Sequence, residues 1–210
     1  MVVRGRVVQV RGDYIRVSFE DEDLKYVGQR GQFLKIRTDS KKDLVAIVAS
    51  LELSDELYRQ ARSISMFPEY YDELILRRND ILVTVVGTLT DDGKIERKYD
   101  AIPSPGNIVE LMSTSELNKI FSKSEQGYIK IGTLANNPRV NVSLNLNQLA
   151  TKHVAIIAMT GAGKSNTLAT LIVRMLKHLP AARILLIDTH SEYIGLSGIN
   201  KILKDKVTIY

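Results

Sequence analysis

The 210-residue chain contains no cysteine, and no stretch of it stays apolar over the roughly 18 residues that a membrane-spanning helix needs. The missing cysteines exclude disulfide bonds and cysteine-based metal sites. Its three histidines share no metal-ligand spacing. No basic-then-apolar leader opens the sequence, so we predict neither a signal peptide nor a membrane partner. A cytoplasmic protein is therefore expected.

The length leaves room for one or two domains, each able to bury a core. The formal net charge of +5 is unevenly distributed along the chain. Residues 151–210 hold eight lysines and arginines against three acids, whereas residues 1–150 hold 21 of each sign. The excess favours a polyanionic partner such as nucleic acid, and it is equally compatible with an ordinary solvated surface.

The first two thirds of the chain show the alternation that is typical of strands with one buried face. Ile15, Val17 and Phe19 alternate with polar side chains, for example. Further strands are predicted near 1–10, 32–38, 44–53, 81–89, 94–99, 107–112, 128–134 and 140–146, with a helical insertion at about 54–78 and a short helix at 113–121. Short strands at this spacing favour a small barrel or a sandwich.

A glycine-rich motif interrupts this pattern near residue 160. Residues 158–167 read Ala-Met-Thr-Gly-Ala-Gly-Lys-Ser-Asn-Thr, between the apolar run Val154–Ala158 and a stretch with helical periodicity. Strand, glycine loop and helix in this order predict a phosphate-binding P-loop, in which Lys164 reaches the β and γ phosphates and Ser165 ligates Mg²⁺. The motif departs from the usual pattern at Ala158, where a glycine is expected. The alternative is a strand-to-helix turn whose lysine is only solvated.

A second polar cluster follows the next predicted strand, Ile184–Ile187. Asp188 comes directly after that strand, and Glu192 follows four residues later. Because parallel strands bind ligands at their carboxyl ends, Asp188 is expected near the phosphates, where it would hold Mg²⁺ through water. Glu192 would polarise a water or contact a neighbouring subunit. Alternatively, Asp188 caps the end of the strand and Glu192 is a surface acid. The pattern predicts the start of a parallel α/β sheet, continued by a third strand at 207–210.

A β domain followed by M-T-G-A-G-K-S-N-T and then L-L-I-D-T-H-S-E-Y resembles the HerA branch of the FtsK–HerA family of hexameric DNA translocases. The resemblance implies a β-barrel domain over 1–145 and a RecA-like P-loop ATPase domain from 146 to 210. It implies ATP and Mg²⁺ as cofactors, with DNA, a hexameric ring of identical subunits and a NurA-type nuclease as partners. The residues that it implies for ATP are Thr160, Gly161, Ala162, Gly163, Lys164, Ser165 and Asn166; for Mg²⁺ they are Ser165 and Asp188, and for catalysis Lys164 and Glu192.

Members of that family continue for several hundred residues beyond this point, with a later catalytic Asp-Glu pair and an arginine finger. No such pair follows the P-loop motif here. We therefore expect the chain to be the N-terminal portion of a translocase or helicase that acts in DNA end processing, and to hydrolyse little ATP by itself. The alternative is a nucleotide-binding or protein-docking module without ATP turnover. A small P-loop kinase or GTPase is disfavoured, because no Asn-Lys-x-Asp motif is present and the β domain would be unexplained.

Overall fold

A computed structural model describes residues 3–12, 14–20, 22–40, 42–54, 78–98, 101–179 and 181–199. The strands of the first 120 residues are β1 (Arg4–Arg11), β2 (Tyr14–Phe19), β3 (Phe33–Arg37), β4 (Asp43–Ser54), β5 (Arg78–Leu89), β6 (Ile95–Glu96) and β7 (Ile108–Leu111). They are followed by helix α1 (Thr114–Phe121), strands β8 (Tyr128–Leu134) and β9 (Asn137–Asn145), helices α2 (Leu146–Thr151) and α3 (Lys164–His178), and a 3-10 helix (Ile194–Ile199).

These elements form two compact units. The first comprises Met1–Ile120 with Ala135–Asn137, and the second comprises Phe121–Leu134 with Pro138–Tyr210. We call them the barrel unit and the P-loop unit. The domain boundary expected after residue 145 stays a prediction. None of the helices in the described ranges is long and apolar enough to cross a membrane.

The barrel unit is a closed antiparallel barrel. Its strands pair in the order β2-β1-β7-β3-β4-β5, and β2 pairs with β5 to close the ring of six strands. Strand β6 adds to β5 as a hairpin across the turn at Asp92 and Gly93, as predicted. A Cβ at Gly87 would overlap the backbone oxygen of Glu96, so glycine lets β6 approach β5 at this point. The small barrel expected from the sequence is confirmed.

The alternation along each strand explains which side chains fill the barrel. On β2, Ile15, Val17 and Phe19 point inwards and are buried, while Tyr14 and Arg16 point outwards. The core is completed by inward side chains of the other strands, among them Val7, Leu34, Ile36, Leu44, Ala46, Val48, Ile81, Val83 and Val109. A β-bulge at Val8 shifts the register of β1 against β2, so that Gln9 stands opposite Arg16.

Ion pairs join neighbouring barrel strands to one another and join β3 to α1. The Glu110 carboxylate accepts hydrogen bonds from Arg4 Nε at 2.9 Å and from Arg37 Nη2 at 2.8 Å. Lys35 Nζ lies 2.6 Å from Glu116 Oε1. Burial alone would raise the pKa of Glu116, but hydrogen bonds from Lys35 and Ser113 outweigh it and lower the pKa to about 2.

The P-loop unit contains the β8–β9 pair and the helix α3, all close to their predicted positions. Asn145 caps α2 by accepting a hydrogen bond from Gln148 N at 3.0 Å. Ile172 and Leu176 of α3 are buried together with Leu196 of the 3-10 helix. The helical insertion predicted at about 54–78 and the third strand predicted at 207–210 lie outside the described residues, apart from the ends of β4 and β5.

The two parallel strands predicted at 154–158 and 184–187 are not formed, and the start of a P-loop sheet is not confirmed. A strand exists only when its backbone is hydrogen-bonded to a neighbour, and neither segment has a strand partner among the described residues. Most of their apolar side chains face solvent as a result. Ile157 is 90% exposed, Leu185 89% and Ile187 82%.

Candidate nucleotide-binding site

The loop that leads into α3 has the backbone that a P-loop requires. Gly161 has a φ of 81° and Gly163 a φ of 90°, both in the left-handed region that residues with a Cβ rarely adopt. Nothing lies within 4 Å of the position of a Cβ at either glycine. The backbone conformation, rather than crowding, therefore requires glycine here. Ala162 N donates to Met159 O at 3.1 Å and closes the turn between them.

Ala158, which replaces a glycine of the usual motif, costs the loop nothing in backbone strain. Ser191 is the one non-glycine residue with a positive φ in the part of the chain that the structure describes. Ala158 therefore has an ordinary φ that alanine adopts without penalty.

The first turn of α3 presents donors to an anion. Gly163 is the N-cap residue and supplies no side-chain cap, so the N–H groups of the first turn are left for other acceptors. Lys164 is the first residue of the helix and is exposed. Thr167 Oγ1 donates to Gly163 O at 3.0 Å and secures the start of the helix. The positive end of the helix dipole and the lysine charge both favour phosphate at this position.

Ser165 and Glu192 are joined by a hydrogen bond although 26 residues separate them in the sequence. The Ser165 hydroxyl donates to Glu192 Oε2. A hydroxyl that gives its proton to a carboxylate keeps its oxygen lone pairs for another partner. The structure thus places a carboxylate beside the hydroxyl that the motif assigns to Mg²⁺.

Asp188 holds together the turn that carries Glu192. Its Oδ1 accepts from Glu192 N at 3.1 Å and from His190 N at 3.4 Å, and its Oδ2 accepts from Tyr193 N at 2.8 Å. These backbone hydrogen bonds, that of Tyr193 first, lower the pKa of Asp188 below its ordinary value. Asp188 is therefore a charged acceptor at the centre of the turn.

Packing fixes the far side of the same turn. Tyr193 and Leu186 pack against the cluster formed by Ile172, Leu176 and Leu196. The position of Glu192 is therefore fixed by two interactions. Its own backbone N–H donates to Asp188, and the next residue, Tyr193, packs against the cluster. Because Ile172 and Leu176 belong to α3, the helix that carries Ser165 also supports the turn that carries Glu192.

The structure brings part of the predicted site together. Thr160, Gly161, Ala162 and Gly163 form the loop, and Lys164, Ser165 and Asn166 begin α3. Within the described ranges, no hydrogen bond joins Asp188 to Ser165. Both carboxylate oxygens of Asp188 instead accept hydrogen bonds from backbone N–H groups of its own turn. The ligand and catalytic roles of these residues stay predictions. The sequence did not reveal the left-handed Ser191, with a φ of 57°, because serine is not typical of that conformation.

Comparison with known proteins supports the assignment of this segment. Residues 129–210 match the family model of the helicase HerA central domain. Over 208 residues, 95% of the chain, it is 29% identical to a probable helicase of Methanocaldococcus jannaschii. Over 139 residues, 64% of the chain, it is 32% identical to the DNA double-strand break repair helicase HerA of Pyrococcus furiosus. Over 102 residues, 49% of the chain, it is 41% identical to the helicase of the same name from Sulfurisphaera tokodaii.

The matched segments span 36%, 24% and 19% of these three relatives. The family model covers the glycine loop, α3 and the turn from Asp188 to Tyr193. The segment that carries the candidate site, residues 129–210, is therefore similar to the central domain of HerA-type helicases.

Proposed function

We propose that the chain provides the barrel and the nucleotide-binding loop of an ATP-dependent DNA translocase or helicase subunit. The observation that carries this proposal is the glycine loop with left-handed Gly161 and Gly163, followed by Lys164 and by Ser165 in contact with Glu192. DNA is inferred as the substrate because relatives carry the name DNA double-strand break repair helicase.

The residues of the loop fit the triphosphate of ATP. The backbone N–H groups at the start of α3, which no side chain caps, would donate to phosphate oxygens. Lys164 would add a positive charge at the β and γ phosphates. The open space beside Gly161 and Gly163 leaves the loop accessible to a ligand.

Ser165 is the residue that would ligate Mg²⁺, and bound Mg²⁺ would neutralise charge on the phosphates. The hydrogen bond to Glu192 fixes the Ser165 hydroxyl and orients its lone pairs. Glu192 would then polarise a water at the same place, and Asp188 would hold the turn or reach the metal through water. A ring of identical subunits, hexameric as in the family that the sequence resembles, and a NurA-type nuclease partner complete the proposal.

Nucleotide binding is tested by titrating the 210-residue chain with a fluorescent ATP analogue and Mg²⁺. Lys164→Ala should weaken binding by at least about tenfold, because a phosphate contact from a charged donor is lost. Lys177→Ala is the matched control, since Lys177 is an exposed lysine in the last turn of the same helix. Ser165→Ala should weaken binding in Mg²⁺ but leave binding in EDTA unchanged.

Equal affinity of the wild-type chain and Lys164→Ala would exclude the P-loop assignment. A Ser165→Ala variant that loses the same affinity in EDTA as in Mg²⁺ would exclude a metal role for that hydroxyl. Tight binding of Mg²⁺-ATP without DNA-stimulated hydrolysis, even in a protein extended to the length of its relatives, would favour a nucleotide-binding module without turnover.

A further inference from the structure

The outer face of β1 and β2 carries basic and aromatic side chains. The strands alternate, so Val7, Ile15 and Val17 enter the core while the side chains between them face outwards. Among the outward ones, Arg11 stands opposite Tyr14 in the register of the two strands. Residues 1–150 hold equal numbers of basic and acidic side chains, but this face of the barrel concentrates cations.

A pocket opens on this face. It has a volume of about 330 Å³ and is lined by Gln9, Arg11, Tyr14, Arg16 and Leu82. We call it the β1–β2 pocket. Its lining contains two arginines and no carboxylate among the described residues. Tyr14 is 55% exposed, which leaves much of its ring available for contact.

The two arginines of the pocket differ in how firmly they are held. Arg16 is half-buried, and its Nε lies 3.6 Å from Oδ2 of the buried Asp80 on the neighbouring strand β5. Arg11 is exposed near the end of β1. A half-buried guanidinium beside an exposed one suits a ligand that carries more than one negative charge along an extended chain.

The positive surface continues along β1 beyond the pocket. Arg6 is exposed and stands opposite Ile108 of β7, which in turn stands opposite Arg37 of β3. Arg37 shares the Glu110 carboxylate with Arg4, whereas Arg6 donates to the carbonyl oxygen of Gly106 at 3.2 Å. Because β7 separates β1 from β3, Arg37 is about 10 Å from Arg6 across the sheet and shares its charge with Glu110, so Arg6 is the residue that extends the positive surface along β1.

We propose that the β1–β2 pocket binds single-stranded nucleic acid, with one base stacked on Tyr14 and the adjoining phosphates on Arg11 and Arg16. An exposed aromatic ring between guanidinium groups matches the alternation of base and phosphate in a single strand. A duplex would offer phosphates but no free base face, so it would use the arginines and leave Tyr14 unused. This proposal rests on the proposed function for its substrate class, which is nucleic acid. The contacts themselves come from side chains of the barrel and require no bound ATP.

The test uses the full chain and a fluorescein-labelled oligothymidylate, with anisotropy recorded across a salt series without ATP or Mg²⁺. Tyr14→Leu should weaken binding about tenfold with an unchanged salt dependence, because it removes stacking but no charge. Arg11→Gln should weaken binding and reduce the log–log salt slope by about 0.7, the value for one lost phosphate contact on a single strand. Arg16 is left in place because its removal would strand the buried Asp80.

Arg97→Gln is the matched control. It removes one exposed arginine of the same barrel, just beyond β6 and about 17 Å along β5 from Leu82. Its affinity and salt slope should equal those of the wild-type chain. Both Tyr14 and Arg11 are exposed, so their variants should melt at the wild-type temperature by circular dichroism.

A photocrosslinking measurement locates the contact when other parts of the chain also bind the oligonucleotide. With 5-iododeoxyuridine in the strand, the crosslinked peptide should contain Tyr14, and Tyr14→Leu should remove that product. Crosslinks only elsewhere, together with equal affinities of all variants, would overturn the proposal. So would duplex binding that matches single-strand binding, or competition by polyglutamate as strong as that by the oligonucleotide. Lys164→Ala should leave the Tyr14 crosslink intact, so loss of the nucleotide site and loss of this site are separable.

Discussion

The barrel unit buries the apolar side chains of its strands, whereas two apolar segments of the P-loop unit leave most of theirs exposed. In the barrel, Val17, Leu34 and Ile36 are fully buried. In the P-loop unit, Ile157 and Leu185, from the two segments with the strongest apolar character, are almost fully exposed. The two units thus differ in whether the described residues can cover their own hydrophobic segments.

The cause lies in how the two kinds of sheet satisfy their backbone. Consecutive antiparallel strands such as β1 and β2 pair across short turns, and the pairing of β2 with β5 closes the barrel without a free edge in the ring. A parallel pair needs a crossover of a dozen or so residues, and buried parallel strands need cover on both faces. Every strand of the barrel ring therefore has two partners, some of them distant in sequence as in the β1–β7 and β2–β5 pairs, whereas the two apolar segments of the P-loop unit have no strand partner among the described residues.

The largest expected effect compares one leucine from each unit. Leu34→Ala should lower the free energy of unfolding by about 2–5 kcal/mol, because it opens a cavity in a fully packed core. Leu185→Ala should change it by less than about 0.5 kcal/mol, because that side chain is exposed. Urea denaturation followed by circular dichroism measures both values. Equal losses would mean that Leu185 is covered in solution, and the contrast between the units would fail.

A smaller effect concerns the charges that hold α1 to the barrel. Glu116→Gln should cost about 1 kcal/mol near neutral pH, since Lys35 loses its charged partner at a partly exposed site. The folded pKa of Glu116 is about 2, below its ordinary value of 4.5. Its contribution is therefore full above the ordinary pKa and is lost as pH falls from about 4.5 towards 2.

The measurement is a series of urea denaturations of the wild-type chain and Glu116→Gln from neutral to acid pH. The difference between them should shrink as the pH falls. Glu96→Gln, at an exposed glutamate of the same barrel, should match the wild-type chain at every pH. A difference that stays constant down to acid pH would mean that packing, rather than the ion pair, accounts for the loss.

The sequence predicted the barrel well because its signal is local. The alternation of Ile15, Val17 and Phe19 with polar residues already specifies which face is buried, and the turn at Asp92 and Gly93 specifies a hairpin. The sequence did not predict that β2 and β5 close the ring. These strands are about 65 residues apart, and the alternation of apolar and polar residues does not encode which strands pair.

For the candidate site, the motif predicted the loop and the start of α3 but not the arrangement of the acids. Glycine at 161 and 163 is required by a backbone conformation, so a sequence pattern can reveal it. The contact of Glu192 with Ser165 depends on a turn with a left-handed Ser191 and on Tyr193 packing against α3. No local pattern encodes those interactions, so the sequence offered Asp188 and Glu192 without distinguishing their positions.

The smallest expected effect separates a turn-holding role of Asp188 from a metal-binding one, and it lies within the P-loop unit. Asp188→Ala removes the acceptor for three backbone N–H groups, which should loosen Glu192 and weaken Mg²⁺-ATP binding about threefold. Asp188→Asn keeps one acceptor oxygen and should lose less. Urea denaturation of the barrel, which shares no strand with this turn, should be unchanged in both. If Asp188→Ala instead abolished Mg²⁺-dependent binding and left binding in EDTA intact, Asp188 would act on the metal, as the sequence alone predicts. Unchanged binding in both media would mean that the turn keeps Glu192 in place without Asp188, and Tyr193 packing would then be its main support.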